Sequence, residues 1–218
     1  MLRETLEAVS KMVQANENLA VAYSGGKDSR VVLDMFAKRV ERERLAVFFM
    51  YFVPGLKFIE DEMAWAEHRW NVKIRQYPHW AITTAMRNGI YCHPSEYNVP
   101  PLTVYNLYSF VLLDTNSRMV VTGAKKSDSA WRRQTIKNKK FTRVFYPLVE
   151  WNKFDVLSYL KTNGIPIPRS EKASATGVDL SSSSLLWMYH EHRDDFYRLC
   201  EYFSFAEAIV YREKFYGK

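Results

Sequence analysis

Cysteine is almost missing from this chain: 218 residues carry two, Cys92 and Cys200, far apart in sequence. Two thiols exclude a disulfide framework, a four-cysteine metal site and an iron–sulfur cluster held within one chain. Both read as packing residues. The five histidines, His68, His79, His93, His190 and His192, show no metal-ligand spacing; His190 and His192 are two apart on one expected helix and face different ways. No apolar run reaches the ~20 residues a membrane span needs, and no internal repeat or low-complexity tract occurs. The opening Met1-Leu2-Arg3-Glu4 reads as a charged amphipathic helix and not as a secretory signal. These absences point to the cytoplasm and away from membranes.

What is present is a core-forming composition, 47% hydrophobic, with a formal charge of +7. The length suits one α/β domain with a small C-terminal appendage. Basic residues concentrate between Lys125 and Arg143: Lys125, Lys126, Arg132, Arg133, Lys137, Lys139, Lys140 and Arg143, interrupted by Asp128 alone. Such a patch attracts polyanions or serves as a solvated face.

Apolar periodicity alternates strand with helix. Helices are expected over residues 3–14, 29–42, 58–70, 102–114, 152–163, 182–200 and 205–215. Strands are expected over 19–23, 45–53, 71–76 (with one wet face, nearer an edge) and 118–122, with a short extended piece at 145–148. Residues 77–104 are irregular and read as an insertion beside the site, with a short helix around Ala81 to Arg87. The fold class is therefore α/β: a doubly wound, mostly parallel sheet with a small helical C-terminal extension. The expected division is 1–168 for the α/β domain and 169–218 for the extension. In such sheets ligands sit beyond the carboxyl ends of the strands. That brings three segments to one place: 24–29, 50–55 and 123–133.

The most informative segment is Ser24-Gly25-Gly26-Lys27-Asp28-Ser29, between the buried run ending at Tyr23 and the helix carrying Val31, Val32, Leu33, Met35 and Phe36. Glycines let backbone N–H groups approach phosphate oxygens, and a helix N-terminus adds partial positive charge. Ser24, Lys27 and Ser29 add side-chain donors. The spacing is not that of the common P-loop. Asp28 is the candidate magnesium ligand, or else an acid satisfying the helix N-terminus.

This hexapeptide resembles the PP-loop of the adenine nucleotide α-hydrolase superfamily (the HUP-like fold class). Three further segments resemble its branch of PAPS reductases and ATP sulfurylase small subunits. Gly55, Phe58 and Glu60 match the branch's Asp-Thr-Gly-x-x-Phe-Pro-Glu-Thr stretch, while Val53-Pro54 replaces Asp-Thr; Phe58 also reads as core and Glu60 as a helix-start acid. Gly123, Ser129 and Arg132 match Gly-x-Arg-x-x-Glu-Ser-x-x-Arg, with Lys125 for Arg and Asp128 for Glu. The run from Pro147 to Tyr159, through Trp151 and Asp155, is similar to the branch's next segment. The resemblance covers roughly residues 17–168.

The resemblance implies an enzyme binding ATP or an APS- or PAPS-like adenylate and reacting at the α-phosphate with Mg2+. Phosphates would be held by Ser24, Gly25, Gly26, Lys27 and Ser29, with Tyr23 and Asp28 completing the nucleotide-binding loop. The strand end at Met50 and Tyr51 would meet adenine, and Gly123, Lys125, Ser129 and Arg132 a second anion. Lys27, Asp28 and Arg132 are the candidate catalytic residues. The Glu-Cys-Gly-x-His tail of the reductases has no counterpart in Tyr211 to Lys218, and no iron–sulfur cysteines are present, so thiol-based reduction is not expected. Two other readings stay open: a tRNA- or DNA-modifying PP-loop enzyme, less favoured, and a non-catalytic nucleotide-binding subunit of a sulfurylase-like complex. A protein partner or homo-oligomer is left open.

Overall fold

Leu19, Ala20 and Val21 are all fully buried, which explains why the first strand shows no polar alternation: both of its faces are covered. In the computed structural model, which describes residues 1–83, 100–137, 142–168 and 180–216, this strand is β1 (Leu19–Ala22). It lies at the centre of a five-stranded sheet with β2 (Leu45–Tyr51), β3 (Ile74–Pro78), β4 (Met119–Val121) and β5 (Val144–Phe145), in the order β3-β2-β1-β4-β5. Every pairing is parallel. The α/β doubly wound expectation holds, and β3 does lie at an edge.

The chain winds outward from β1 through α2 (Lys27–Ala37), β2 and α3 (Lys57–Trp70) to β3, then returns through α4 (Val104–Asp114) to β4 on the other side of β1. Period-two alternation sorts the core. Leu19, Val21, Val47 and Phe49 pack on the face covered by α1 (Leu2–Ala15), α2, α3 and α6 (Lys153–Thr162). Ala20, Phe48 and Val120 face Leu107, Tyr108, Val111 and Leu112 of α4. The reversal of winding beside β1 creates the switch point where open sheets bind ligands.

Boundaries move from the sequence reading for visible reasons. Helix α2 starts at Lys27 and stops at Ala37, five residues short of Arg42, where the Arg39 N–H tightens onto the Phe36 carbonyl three residues back. The expected helix 182–200 is two helices, α7 (Ser182–Glu191) and α8 (Arg193–Tyr202), followed by α9 (Phe205–Tyr216). The break falls at His192, so His190 and His192 do not share a helix. The His192 ring lies 4.9 Å from Phe58 and 4.7 Å from Trp187. From residue 84 on, the expected helix 81–87 lies outside the described residues, as do Cys92, His93, Lys139, Lys140 and residues 169–179.

Buried acids join distant elements. Asp34 of α2 accepts hydrogen bonds from Lys38 Nζ (2.6 Å), Trp70 Nε1 (3.0 Å) and Tyr159 Oη (2.8 Å), tying α2 to α3 and α6. Asp195 of α8 caps α3 across the chain, accepting from the Lys57 and Phe58 amides at 2.6 and 2.9 Å. Arg198 Nε donates to the Pro54 carbonyl at 3.0 Å. Helices α7–α9 form their own apolar cluster, which takes in Val53 and Leu56 from the end of β2. Asp195→Ala should lower unfolding stability by about 1–2 kcal/mol, the scale of a lost N-cap, measured by urea denaturation; an unchanged midpoint would contradict this account of the cap.

Candidate functional site

The loop after β1 brings two glycines to the start of α2. Tyr23 N–H reaches the Phe48 carbonyl at 2.8 Å, the last link to β2. Gly25 then takes φ +74°, a left-handed conformation that favours glycine. Gly26 is the N-cap of α2 and brings no side chain of its own to that end, so the first amides of α2 emerge beside two glycines. Ser29 Oγ donates to the Gly26 carbonyl at 2.8 Å, and Ser24 Oγ lies 3.2 Å from Ser29 Oγ. The two serines shape the turn as well as offering hydroxyls. The Tyr23 side chain points elsewhere: it is buried, and its hydroxyl donates to Glu62 Oε1 at 2.6 Å. Burial first, then the Glu62 carboxylate, pushes the Tyr23 hydroxyl well above the usual tyrosine range, so it remains a donor.

At the end of β2, Met50 and Tyr51 separate in role. Because the Phe48 carbonyl serves β1, the main-chain groups of alternate residues, Met50 included, face the β1 side. The β1–β2 register ends at Ala22 opposite Phe48, so Met50 lies past the end of β1, above the loop. The Tyr51 carbonyl faces the other way and accepts from His79 N–H at 2.9 Å. Gly55 has φ +70°, and a Cβ there would lie 2.9 Å from Arg198 Nη2. His79 stacks on Phe52 with ring centroids 4.3 Å apart. Burial lowers its pKa to about 4.

The third segment meets the first directly. A Cβ on Gly123 would come within 3.1–3.2 Å of the Asp28 backbone and Cβ, so any side chain there would push the end of β4 and α2 apart by a few tenths of an ångström. Lys125 is buried, with Nζ 2.6 Å from Asp28 Oδ1 and 2.9 Å from Asp128 Oδ1. Lys27 Nζ lies 3.6 Å from Asp28 Oδ2. Two lysines and two aspartates thus form one compact charge cluster at the mouth of the loop. Ser129 Oγ accepts from Arg132 N–H at 3.0 Å at the start of α5 (Ala130–Lys137), where Arg132 itself is exposed. Beside it, burial raises Tyr108 to about 12, with Tyr146 adding to the rise and Arg132 and Thr122 opposing it.

Of the two carboxylates in this cluster, Asp128 is held by the Lys125 amide and ammonium, each at 2.9 Å, and Asp28 is the one a magnesium ion at the loop would meet. Its Oδ1 is buried and lacks a hydrogen bond, although it is ion-paired to Lys125. Among the described residues no three acids, histidines or cysteines gather to hold a metal. Asp28 could serve as a single protein ligand to a cation carried in by a bound anion. A surface groove of about 770 Å3 runs along α1 to Arg39, beyond the far end of α2 from the loop. Its lining has no glycine, and its Arg3–Glu7 ion pair at 3.0 Å is exposed to solvent.

Sequence reasoning missed Arg30 and Glu62. Arg30 is a buried cation immediately after the loop, with Nη2 2.7 and 2.5 Å from the two Glu62 oxygens and Nη1 2.6 Å from the Pro166 carbonyl. The available signal was a charge leading straight into the apolar run Val31-Val32-Leu33.

This geometry coincides with a recognised family: residues 18–169 match the phosphoadenosine phosphosulfate reductase domain. The chain belongs to that family. An NH3-dependent NAD synthetase from Campylobacter jejuni subsp. jejuni NCTC 11168, solved in complex with the nitrate ion, has a similar structure. The TM-score is 0.51 at 13% identity, covering 99% of this chain and 94% of that one. At that identity the likeness is one of fold. The family matched by residues 18–169 is one of the PP-loop adenine nucleotide α-hydrolases. No curated protein sequence matches the chain. Within the phosphoadenosine phosphosulfate reductase domain family, then, this member places its glycine loop, the end of β2 and Gly123 along one edge of the sheet.

Two consequences are measurable. Gly123→Ala should destabilise the fold by about 1–3 kcal/mol through forced displacement of the first turn of α2, read by denaturant titration; full stability would show that the approach is not tight. His79 should stay neutral down to pH 4–5 and titrate near 4 by NMR. Its folded pKa lies below the unfolded value of about 6.5, so its contribution to stability is complete above pH 6.5 and is lost as pH falls toward 4. Titration at the unperturbed value would contradict the burial.

Proposed function

We propose that the chain is a PP-loop enzyme that binds ATP or an APS- or PAPS-like adenylate and reacts at its α-phosphate. The observation that carries this reading is the α2 N-terminus, with glycine as its N-cap behind a left-handed glycine, at the carboxyl end of the central strand. Its amides suit a polyphosphate or phosphosulfate tail. Main-chain groups of Met50, past the end of β1, suit the edge of an adenine, which needs few hydrogen bonds and an apolar slot.

Lys27 holds positive charge over the loop, and Ser24 and Ser29 offer hydroxyls. Lys125 arrives already paired with Asp28 and Asp128. An incoming phosphate competes with these carboxylates for its ammonium, so Lys125 holds the second anion by exchange of partners. Arg132, exposed on α5, suits the outer end of the ligand, where a guanidinium grips phosphate or sulfate with two parallel hydrogen bonds. Magnesium, when bound on the phosphates and Asp28, supplies neutralisation of charge developing on the leaving group.

Thiol-based reduction has little support among the described residues. Cys200 is the cysteine found there, and burial, then Glu207, raises its thiol to about 11, leaving it a poor nucleophile.

Calorimetric titration with ATP, AMP, APS and PAPS, with and without magnesium, tests the reading. Saturable binding of one of them, abolished or weakened ~100-fold by Lys27→Ala at unchanged melting temperature, is expected from the loss of one preorganised donor. Absence of binding by all four would overturn it.

A further inference from the structure

The loop's two ends converge on one carboxylate. Tyr23 is the residue before Ser24 and Arg30 the residue after Ser29. Both bind Glu62 of α3: Tyr23 Oη donates to Oε1 at 2.6 Å, and Arg30 Nη2 donates to Oε1 and Oε2 at 2.7 and 2.5 Å. The carboxylate's own stem lies against the loop, since a Cβ on Gly25 would sit 3.1 Å from Glu62 Cγ. Arg30 is locked from other sides by the Pro166 carbonyl at 2.6 Å and by the Trp65 ring, 4.1 Å below its guanidinium. The Arg30 side chain is 5% exposed and that of Glu62 22%.

We propose that Glu62 is the positioning residue of the phosphate-binding loop: by holding Tyr23 and Arg30 together it fixes the loop's chord and keeps its amides aimed before any ligand arrives. The inference rests on the proposed nucleotide reading for what the loop binds, but the clamp itself is a statement about the free protein. Its logic is preorganisation. Donors fixed in advance lose little entropy and need little reorganisation when an anion enters. Arg30 stands close to the anion site yet is neutralised by Glu62 and directed away from solvent, so its part is to hold the chain and not to contact phosphate.

The sign of the charge effect separates positioning from bulk electrostatics. Glu62→Gln removes a negative charge beside an anion site, which by Coulomb's law alone tightens ATP binding. The clamp demands the opposite. In Glu62→Gln, the ATP dissociation constant should rise about tenfold, the scale for losing a partner that orients a ligand group, and Tyr23→Phe should show a smaller rise in the same direction. Breaking a buried pair also threatens the fold. The double variant Arg30→Met/Glu62→Met, which replaces the pair with apolar side chains, supplies a stable protein that still lacks the clamp and should bind ATP as weakly as Glu62→Gln.

Hydrogen exchange of the Gly25 to Ser29 amides in the ligand-free protein gives a readout that needs no nucleotide. Exchange there should accelerate about tenfold in Glu62→Gln while β4 amides keep their protection. Unchanged loop exchange, or ATP binding by folded Glu62→Gln as tight as wild type or tighter, overturns the clamp. Failure of the wild-type protein to bind any adenylate overturns the proposed function instead and leaves the exchange measurement to judge the clamp.

Discussion

The contact on which the site turns is the close packing of Gly123 against the first turn of α2. A side chain there would press on the Asp28 backbone at 3.1 Å, so the end of β4 and the start of α2 meet main chain to main chain. That contact brings Lys125 within 2.6 Å of Asp28 and sets Lys27, Asp28, Lys125 and Asp128 into one cluster. It lies where the sheet's winding reverses, between β1 and β4. Crossovers on opposite faces leave the strand ends uncovered at that point, which is why open α/β sheets place ligands there.

The C-terminal helices are tied to the same edge although the family match ends at residue 169. Asp195 supplies the cap that α3 lacks in its own sequence, and Arg198 covers Gly55 and holds the Pro54 carbonyl. The loop after β2 is thereby held from one side by its strand and from the other by α8. The apolar cluster of α7–α9 includes Val53 and Leu56, so the packing of the extension and the shape of that loop are one problem.

Much of this was legible before any coordinates. Four of the strands and most of the helices around them follow from runs and periodicities set by burial, the fifth, Val144–Phe145, having shown only as an extended piece from 145, and the glycine loop stands out by residue types that suit close approach of an anion. The departures have physical causes that local sequence does not carry. Nothing between Ser182 and Cys200 breaks a helix by propensity; the break at His192 accompanies stacking on Phe58, more than 130 residues away in sequence. The Arg30–Glu62 pair spans 32 residues, beyond any periodic pattern. Lys125 read as a free anion ligand because sequence shows a charge but not its neighbours, and in the folded chain two carboxylates already hold it. Met50 and Tyr51 read alike as a strand end, while strand pairing turns their main-chain groups to opposite sides.

The central claim is that the loop amides of this chain grip the anionic tail of an adenylate. Backbone amide NMR of the 15N-labelled protein during ATP titration tests it most directly. The account predicts large, saturable shifts at Gly25, Gly26, Lys27, Asp28 and Ser29, with weaker ones at Met50 and Gly123. Shifts confined to other surfaces, with these amides unmoved at saturating ATP, would contradict it.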